Sequence, residues 1–191
     1  MTQTPQTSEY LTGQLLIAMP AMPDPRFERA VIYVCAHTEE GAMGLVINRL
    51  FSAITFPDLL DQLGIESGGR TDEMPVHFGG PVEAARGFVL HSADFVREGT
   101  VLVDDHVAMT ATIDILRAIA GGEGPRHCLL ALGYAGWGPG QLDAEMQANG
   151  WLNAPADEQL LFDGDLDGKW ERAIAKLGVS LSMLSAEAGH A

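Results

Sequence analysis

The sequence predicts an α+β fold, a compact domain with a mixed, mostly antiparallel sheet and several flanking helices. Apolar runs rich in β-branched residues recur between glycine-rich turns, a pattern typical of strands joined by short connections. Helical patterns are few and irregularly placed, so the regular strand-helix alternation of a Rossmann domain is absent. Short antiparallel connections with inserted helices therefore describe the chain best.

The strands are predicted from apolar runs bounded by turn residues. Two of these runs face each other across "TEEGA", which indicates a β-hairpin, and two later runs are interpreted as a second pair. The runs are residues 14–20, then 30–37 and 43–49 as the hairpin, then 76–80 and 87–93 as the second pair, and 127–135 as a further buried strand.

Three helices are predicted from apolar spacing together with start and stop residues. Pro57 suits the first turn of the first helix, and Thr112 is a possible N-cap of the second, which Gly121 and Gly122 would end. The predicted helices span residues 56–64, 113–120 and 169–178.

Composition and charge limit the classes of function. The 191 residues carry 26 acidic against 11 basic side chains, a net charge of −15, which opposes binding to phosphate backbones. Direct nucleic-acid binding is not expected. The N-terminus lacks a signal-peptide pattern, and no apolar run reaches the ~20 residues of a membrane span. We expect a cytoplasmic protein without a membrane segment, with one domain over residues 11–180 and tails at 1–10 and 181–191.

The stretch "GYAGWGPGQLDAEM", residues 133–146, raises the question of a phosphate-binding loop. No Lys follows its glycines, and Gln141 stands where the third glycine of a dinucleotide fingerprint belongs. We interpret it as a strand that turns into a helix, with Pro139 in the first helical turn and Trp137 as a buried anchor of the corner. An anion at the helix N-terminus stays the alternative.

Two patterns resemble metal sites and are predicted not to be. "DGDLDG" from Asp163 matches the start of a calcium loop, but Ile174 replaces the bidentate acid and no helix is evident before Asp163. We expect these acids to precede a helix, with Asp167 as a possible N-cap. A zinc site is not expected either, because strand alternation puts His127 and Cys128 on opposite faces. We predict no metal and no cofactor.

The reactive residue types are predicted to be structural. Cys35 alternates with His37 on one strand face, and Cys128 lies among leucines, so both are expected to be reduced and buried. His91, Ser92 and Asp94 are the residue types of a hydrolytic triad, but sequence neighbours point in different directions. Hydrolase chemistry is therefore not expected, although redox activity of either cysteine stays open.

The motifs taken in order resemble one family. "GQLLIAMPAMPDPRFERAVIYVCAHTEEGAMGLVINR", "VHFGGPV", "GFVLH", "LGYAGWGPGQLDAEMQANGWL", "LFD" and "KWERAIAKLG" are similar to the YqgE/AlgH family of bacterial proteins, over about residues 11–178. The resemblance implies a compact α+β domain. The family is largely uncharacterised, and one branch is labelled a transcriptional regulator of alginate production, which implies a genetic effect and not a DNA-binding fold.

Six residues within these motifs are the candidates for a ligand or partner surface: Asn48, Arg49, His91, Trp137, Gln141 and Glu145. The leading hypothesis is a non-enzymatic regulatory or interaction protein that acts through a protein or small-molecule partner, with indirect effects on transcription. The alternative is a ligand-binding protein or enzyme whose cleft gathers Arg49, His91, Gln141 and Glu145. Each candidate also has a structural interpretation in a turn, strand end or helix start.

Overall fold

The computed structural model describes residues 10–66 and 74–178, in which the chain forms nine strands and five α-helices. The predicted tails, apart from Tyr10, and most of the loop at 66–75 lie outside these residues. The strands are β1 (Gln14–Ala18), β2 (Val31–Thr38), β3 (Gly41–Val46), β4 (Val76–Phe78), β5 (Val82–Ser92), β6 (Thr100–Leu102), β7 (Val107–Thr110), β8 (Cys128–Trp137) and β9 (Trp151–Pro155). The helices are α1 (Phe56–Gln62), α2 (Ile113–Ala120), α3 (Gln141–Gln147), α4 (Glu158–Phe162) and α5 (Lys169–Lys176).

The strands form one curled, mostly antiparallel sheet in the order β6-β7-β5-β8-β3-β2-β1-β9. The α+β prediction is confirmed, and so is the hairpin, because β2 and β3 pair antiparallel. The second predicted pair is wrong. β4 and β5 both pair with β8, the first parallel and the second antiparallel, so the later strand lies between them. β8, which separates β4 from β5 in the sheet, comes much later in the sequence, so local sequence patterns could not predict this arrangement.

The middle of β8 is where two parts of the sheet meet. Its first half pairs with β4 and its second half with β3. Gly133, between them, has φ +76°, and a Cβ there would lie 2.3 Å from the carbonyl oxygen of Gly80. Gly80 is equally confined, since its own Cβ would lie 2.1 Å from the backbone of Tyr134. A glycine of the "GYAGW" stretch therefore serves close backbone approach.

Three groups of buried side chains hold helices against the sheet. The first cluster packs α4 and α5 against one face of the sheet, formed by β1, β2, β3, β5 and β8. Within it, the Trp170 indole donates a hydrogen bond to the Ala18 carbonyl at 2.8 Å. The second cluster covers the opposite face of β1 to β3 and includes Leu142 of α3. The third packs α1 and α2 against β5 and β8. Both faces of the sheet are thus covered, as the mainly apolar strands require.

Several details of the helix ends differ from the predictions. Thr112 occupies the N-cap position of α2, but its side chain makes no capping hydrogen bond. Gly168, not Asp167, precedes α5, and Gly140 in the left-handed region precedes α3, which leaves Pro139 outside that helix. The expectation of no helix before Asp163 is wrong, because α4 ends there. A helix of five residues carries too little periodicity to recognise.

A bulge in β2 reverses another expectation. The pairing register with β3 shifts between Val34 and Ala36, so one extra residue enters β2. Cys35 consequently lies in the first cluster, whereas the ring of His37 accepts a hydrogen bond from the backbone of Leu11, which belongs to the second cluster. The two side chains are on opposite faces and not on the same one.

Among the helices at 10–66 and 74–178, none is both long and apolar enough to span a bilayer.

Candidate functional site

Three of the six predicted residues come together at the corner between β8 and α3. One carboxylate oxygen of Glu145 accepts from the indoles of Trp137 at 3.3 Å and Trp151 at 3.1 Å. The other accepts from the Gln141 amide at 3.0 Å, and the Gln141 oxygen accepts from the Gly138 backbone at 3.0 Å. Trp137 is only 7% exposed. These polar groups bond one another, so the cluster fits a structural corner.

Asn48 and Arg49 hold the loop before β2. The Asn48 amide accepts from the backbone of Val31 at 3.0 Å and donates to the carbonyl of Arg29 at 2.9 Å. The Arg49 guanidinium donates to backbone carbonyls at residues 26 and 28. Burial lowers the pKa of Arg49, while the charge of nearby Glu28 acts in the opposite direction. Both side chains therefore tie the end of β3 to this loop.

His91 is fully buried and uses both ring nitrogens. Its Nδ1 donates to the Ser92 carbonyl at 2.8 Å, which leaves Nε2 to accept from the Thr110 hydroxyl at 2.8 Å. Burial lowers the pKa of His91, which disfavours the protonated ring. The Ser92 hydroxyl donates to the Asp94 carboxylate and not to His91. The triad geometry is therefore absent among these three residues, in agreement with the sequence interpretation.

The predicted residues do not form one cleft. Trp137, Gln141 and Glu145 share one hydrogen-bonded network, whereas Arg49 and His91 each have separate partners. Gln141 and Glu145 bond each other, whereas Arg49 and His91 each lie in a separate environment. The single cleft required by the alternative hypothesis is thus not what their contacts build.

A different surface has the shape of a binding site. A groove of about 640 Å³ opens on the sheet face that carries the first cluster. Its lining residues lie on or next to β2, β3, β5, β7 and β8, and we call it the sheet groove. Its lining consists of Ala36, Thr38, Glu40, Gly41, Ala42, Met43, Val82, Arg86, Phe88, Met109, Tyr134, Gly136 and Trp137. Its volume lies within the ~300–1,000 Å³ typical of sites for small molecules.

The groove is mainly apolar with few charges. Phe88 and Tyr134 meet edge to face with ring centroids 5.7 Å apart, and the Arg86 guanidinium lies 5.1 Å from the Phe88 centroid. Met43 and Met109 are partly exposed beside them. Thioether side chains adapt to differently shaped apolar partners, and a guanidinium over a ring keeps its N–H groups at the rim. The surface can therefore accept an apolar body together with one polar group.

Sequence reasoning found Trp137 but missed the rest of this groove. Its residues come from five strands, and although most lie within the quoted motifs, the motifs do not show which strands meet at this face. The available signal is local alternation, since Arg86 and Phe88 share one strand face. Which strands would meet at that face depends on the pairing of β5 with β8 and β7.

Burial and ion pairing describe the two cysteines and the acidic loop that begins at Asp163. Cys35 is buried and Cys128 is half-buried, and burial raises their thiol pKa values to about 12 and about 11. Asp163 binds the Arg172 guanidinium, which holds the pKa of that carboxyl below its usual range. Across residues 10–66 and 74–178, no group of three or more His, Cys, Asp or Glu side chains is placed to hold a metal ion. The absence of a metal in solution stays a prediction.

Comparisons with known proteins agree over nearly the whole chain. A UPF0301 protein of Rhodospirillum rubrum is 57% identical over 182 residues, covering 95% of each chain. One of Rhodopseudomonas palustris is 55% identical, covering 97% of this chain and 89% of the relative.

Two solved structures share the fold. The solution structure of the AlgH protein from Pseudomonas aeruginosa matches with a TM-score of 0.79 at 45% identity, covering 100% of both chains. A crystal structure of a Corynebacterium diphtheriae protein matches with a TM-score of 0.74 at 20% identity, covering 93% and 92%, and shows the fold alone. The AlgH-like family model, DUF179, matches residues 15–182. The resemblance found in the sequence is confirmed, and the chain belongs to the AlgH-like family.

Proposed function

We propose that this chain is a non-enzymatic regulatory protein of the cytoplasm that binds a small, largely apolar molecule in the sheet groove. The observation that carries the proposal is the groove itself. It is open, mainly apolar and about 640 Å³ in volume, and it lies on a sheet that is elsewhere covered by helices. Methionine and aromatic side chains of the groove are partly exposed to water, so an apolar molecule that covers them lowers the free energy of the system.

The size of the groove favours a small molecule over a folded protein. Thirteen residues line it, whereas a stable protein interface uses ~20–30 residues on each side. The proposal that the protein is not an enzyme is supported by the state of the side chains that could otherwise react. Both cysteines are protonated thiols at neutral pH, and His91 spends both nitrogens within its own strand pair.

Regulation is proposed to be indirect. A net charge of −15 opposes association with nucleic acid, so a genetic effect would pass through the ligand or through another protein. Ligand binding at the groove would stabilise the folded state and change the surface that β2, β3 and β5 present.

A fluorescence titration with the neutral apolar dye Nile red tests the proposal. Ala36 is exposed and lines the groove, so Ala36→Trp fills the site without removing a core contact. The matched control is Ala175→Trp on the exposed face of α5, outside the groove. We expect saturable dye binding to wild type and the control, and roughly tenfold weaker binding to Ala36→Trp. Equal binding to all three would contradict the proposal.

A further inference from the structure

Among the described residues that line the sheet groove, Arg86 carries the one positive charge and Glu40 the one negative charge. The Arg86 guanidinium lies 5.1 Å from the centroid of the Phe88 ring, and Phe88 in turn meets Tyr134 edge to face. A cation over an aromatic face is attracted by the ring quadrupole, which keeps the charge beside the apolar lining. A molecule that lies against these rings therefore brings its own polar group next to the guanidinium.

Arg86 is open to a further partner. Its side chain is 56% exposed, and its ion pair with Glu83, at 3.5 Å, joins it to a carboxylate that is itself 53% exposed. Exposed pairs of this kind contribute little to stability, because water solvates both charges and salt screens them. A guanidinium also has several N–H donors in a planar fork, so one carboxylate at this distance leaves most of them available. Arg86 can therefore bind a ligand anion in competition with Glu83.

Glu40 lies towards the opposite end of the groove. It precedes β3, the start of which pairs with Trp137 at the end of β8, whereas the residue after Arg86 pairs with Leu132. Trp137 and Leu132 are five residues apart, or roughly 16 Å along the strand. This separation exceeds the ~8 Å Debye length at physiological salt, so the charge of Glu40 acts only weakly on an anion at Arg86.

We propose that the sheet groove binds an amphipathic monocarboxylate, whose carboxylate pairs with Arg86 and whose apolar body covers Phe88 and Met109. The inference rests on the proposed function, because it assigns a chemical class to the ligand of the same groove. The planar guanidinium fork matches a carboxylate, and the mainly apolar lining suits an uncharged remainder. A second negative charge on the ligand would be repelled by Glu83 and by the net charge of −15, and the described lining offers no second cation.

Titration of the full chain with three octyl compounds tests the charge preference, with binding followed by NMR at the Met43 and Met109 methyl groups. Octanoate carries the carboxylate, octanol is the neutral analogue, and octylammonium carries the opposite charge. At neutral pH we expect saturable shifts and about fivefold tighter binding of octanoate than of octanol, as for a solvent-exposed ion pair, with octylammonium weakest. Equal affinity for octanoate and octanol, or a preference for octylammonium, would overturn the proposal.

Surface variants assign the preference to Arg86. Arg86→Gln removes the charge and keeps part of the aliphatic stem, so octanoate affinity should fall roughly fivefold, to that of octanol, while octanol binding stays unchanged. The matched control is Arg117→Gln, which removes an exposed arginine from a comparable ion pair with Asp114 on α2, outside the groove. The control should bind octanoate like wild type. Wild-type octanoate affinity in Arg86→Gln would contradict the proposed pairing.

Glu83→Gln should change the affinity in the opposite direction. It removes the carboxylate that competes for Arg86, so octanoate should bind about twofold to threefold more tightly, with octanol unchanged. Weaker octanoate binding to this variant than to wild type would count against an anion at Arg86.

The outcomes also separate this proposal from the proposed function. Nile red carries no net charge, so its binding does not depend on Arg86. Saturable Nile red binding together with equal affinity for octanoate and octanol would overturn the assignment of a carboxylate alone. Absence of groove binding by Nile red and by all three octyl compounds would overturn both proposals.

Discussion

Replacement of Trp137 by alanine tests the corner between β8 and α3. The ring is 7% exposed and meets Trp151 edge to face with centroids 6.2 Å apart. A tryptophan side chain buries on the order of 200 Å², which at ~25 cal/mol per Å² corresponds to about 5 kcal/mol of transfer free energy. Because alanine retains part of this area and the site relaxes partially, we expect Trp137→Ala to lower the free energy of unfolding by about 3–5 kcal/mol.

Two further variants separate the ring from its hydrogen bond. Trp137→Phe keeps an aromatic ring but removes the indole N–H together with part of the indole, while Glu145 retains its bonds to Trp151 and Gln141. That change should cost about 1 kcal/mol for the hydrogen bond, plus the packing loss of the smaller ring, and less in total than Trp137→Ala. Gln141→Ala, at an exposed position, should cost less than about 1 kcal/mol.

Urea denaturation followed by far-ultraviolet circular dichroism measures all three variants without relying on tryptophan emission. The order of destabilisation should be alanine at 137, then phenylalanine at 137, then alanine at 141. If Trp137→Ala unfolds at the wild-type urea concentration, the ring does not anchor the corner, and the structural interpretation of this cluster is wrong.

Four other predictions follow from the charge, the acidic loop and the buried side chains. Fluorescence anisotropy should detect no binding to duplex DNA at physiological salt, and micromolar affinity with a steep salt dependence would contradict this. Calorimetry should find no stoichiometric calcium site, and one that Asp163→Ala abolishes would refute the interpretation. At pH 8, Cys35 and Cys128 of the folded protein should react with a thiol reagent about 100-fold or more slowly than in denaturant, because burial raises both pKa values. Between pH 6.5 and 4 the unfolded chain binds a proton that buried His77 does not, so this histidine should contribute about 3 kcal/mol to the loss of stability, a contribution that His77→Gln should remove.

The sequence was sufficient where structure depends on local pattern. The β2-β3 hairpin and the start and end of α2 follow from apolar runs and turn residues, and the structure places them close to the predicted positions. The buried state of Trp137 was also predictable, because a strand that turns at glycines leaves space that a large ring fills.

Features that depend on distant partners were not predictable in the same way. β8 inserts between β4 and β5, and nothing in those two segments specifies it. The bulge at Val34 and Ala36 places Cys35 and His37 on opposite faces, contrary to simple alternation.

The sheet groove depends on distant partners as well, because it exists only once five strands are in register.

The most direct test of the proposed function is methyl NMR of the full chain during titration with Nile red. Met43 and Met109 line the sheet groove, whereas Met22 and Met146 pack against the second cluster on the other sheet face. We expect saturable shifts of the Met43 and Met109 methyl resonances that Ala36→Trp abolishes, with Met22 and Met146 unchanged. Shifts confined to Met22 and Met146, or no saturable shift at the groove methionines, would contradict the account.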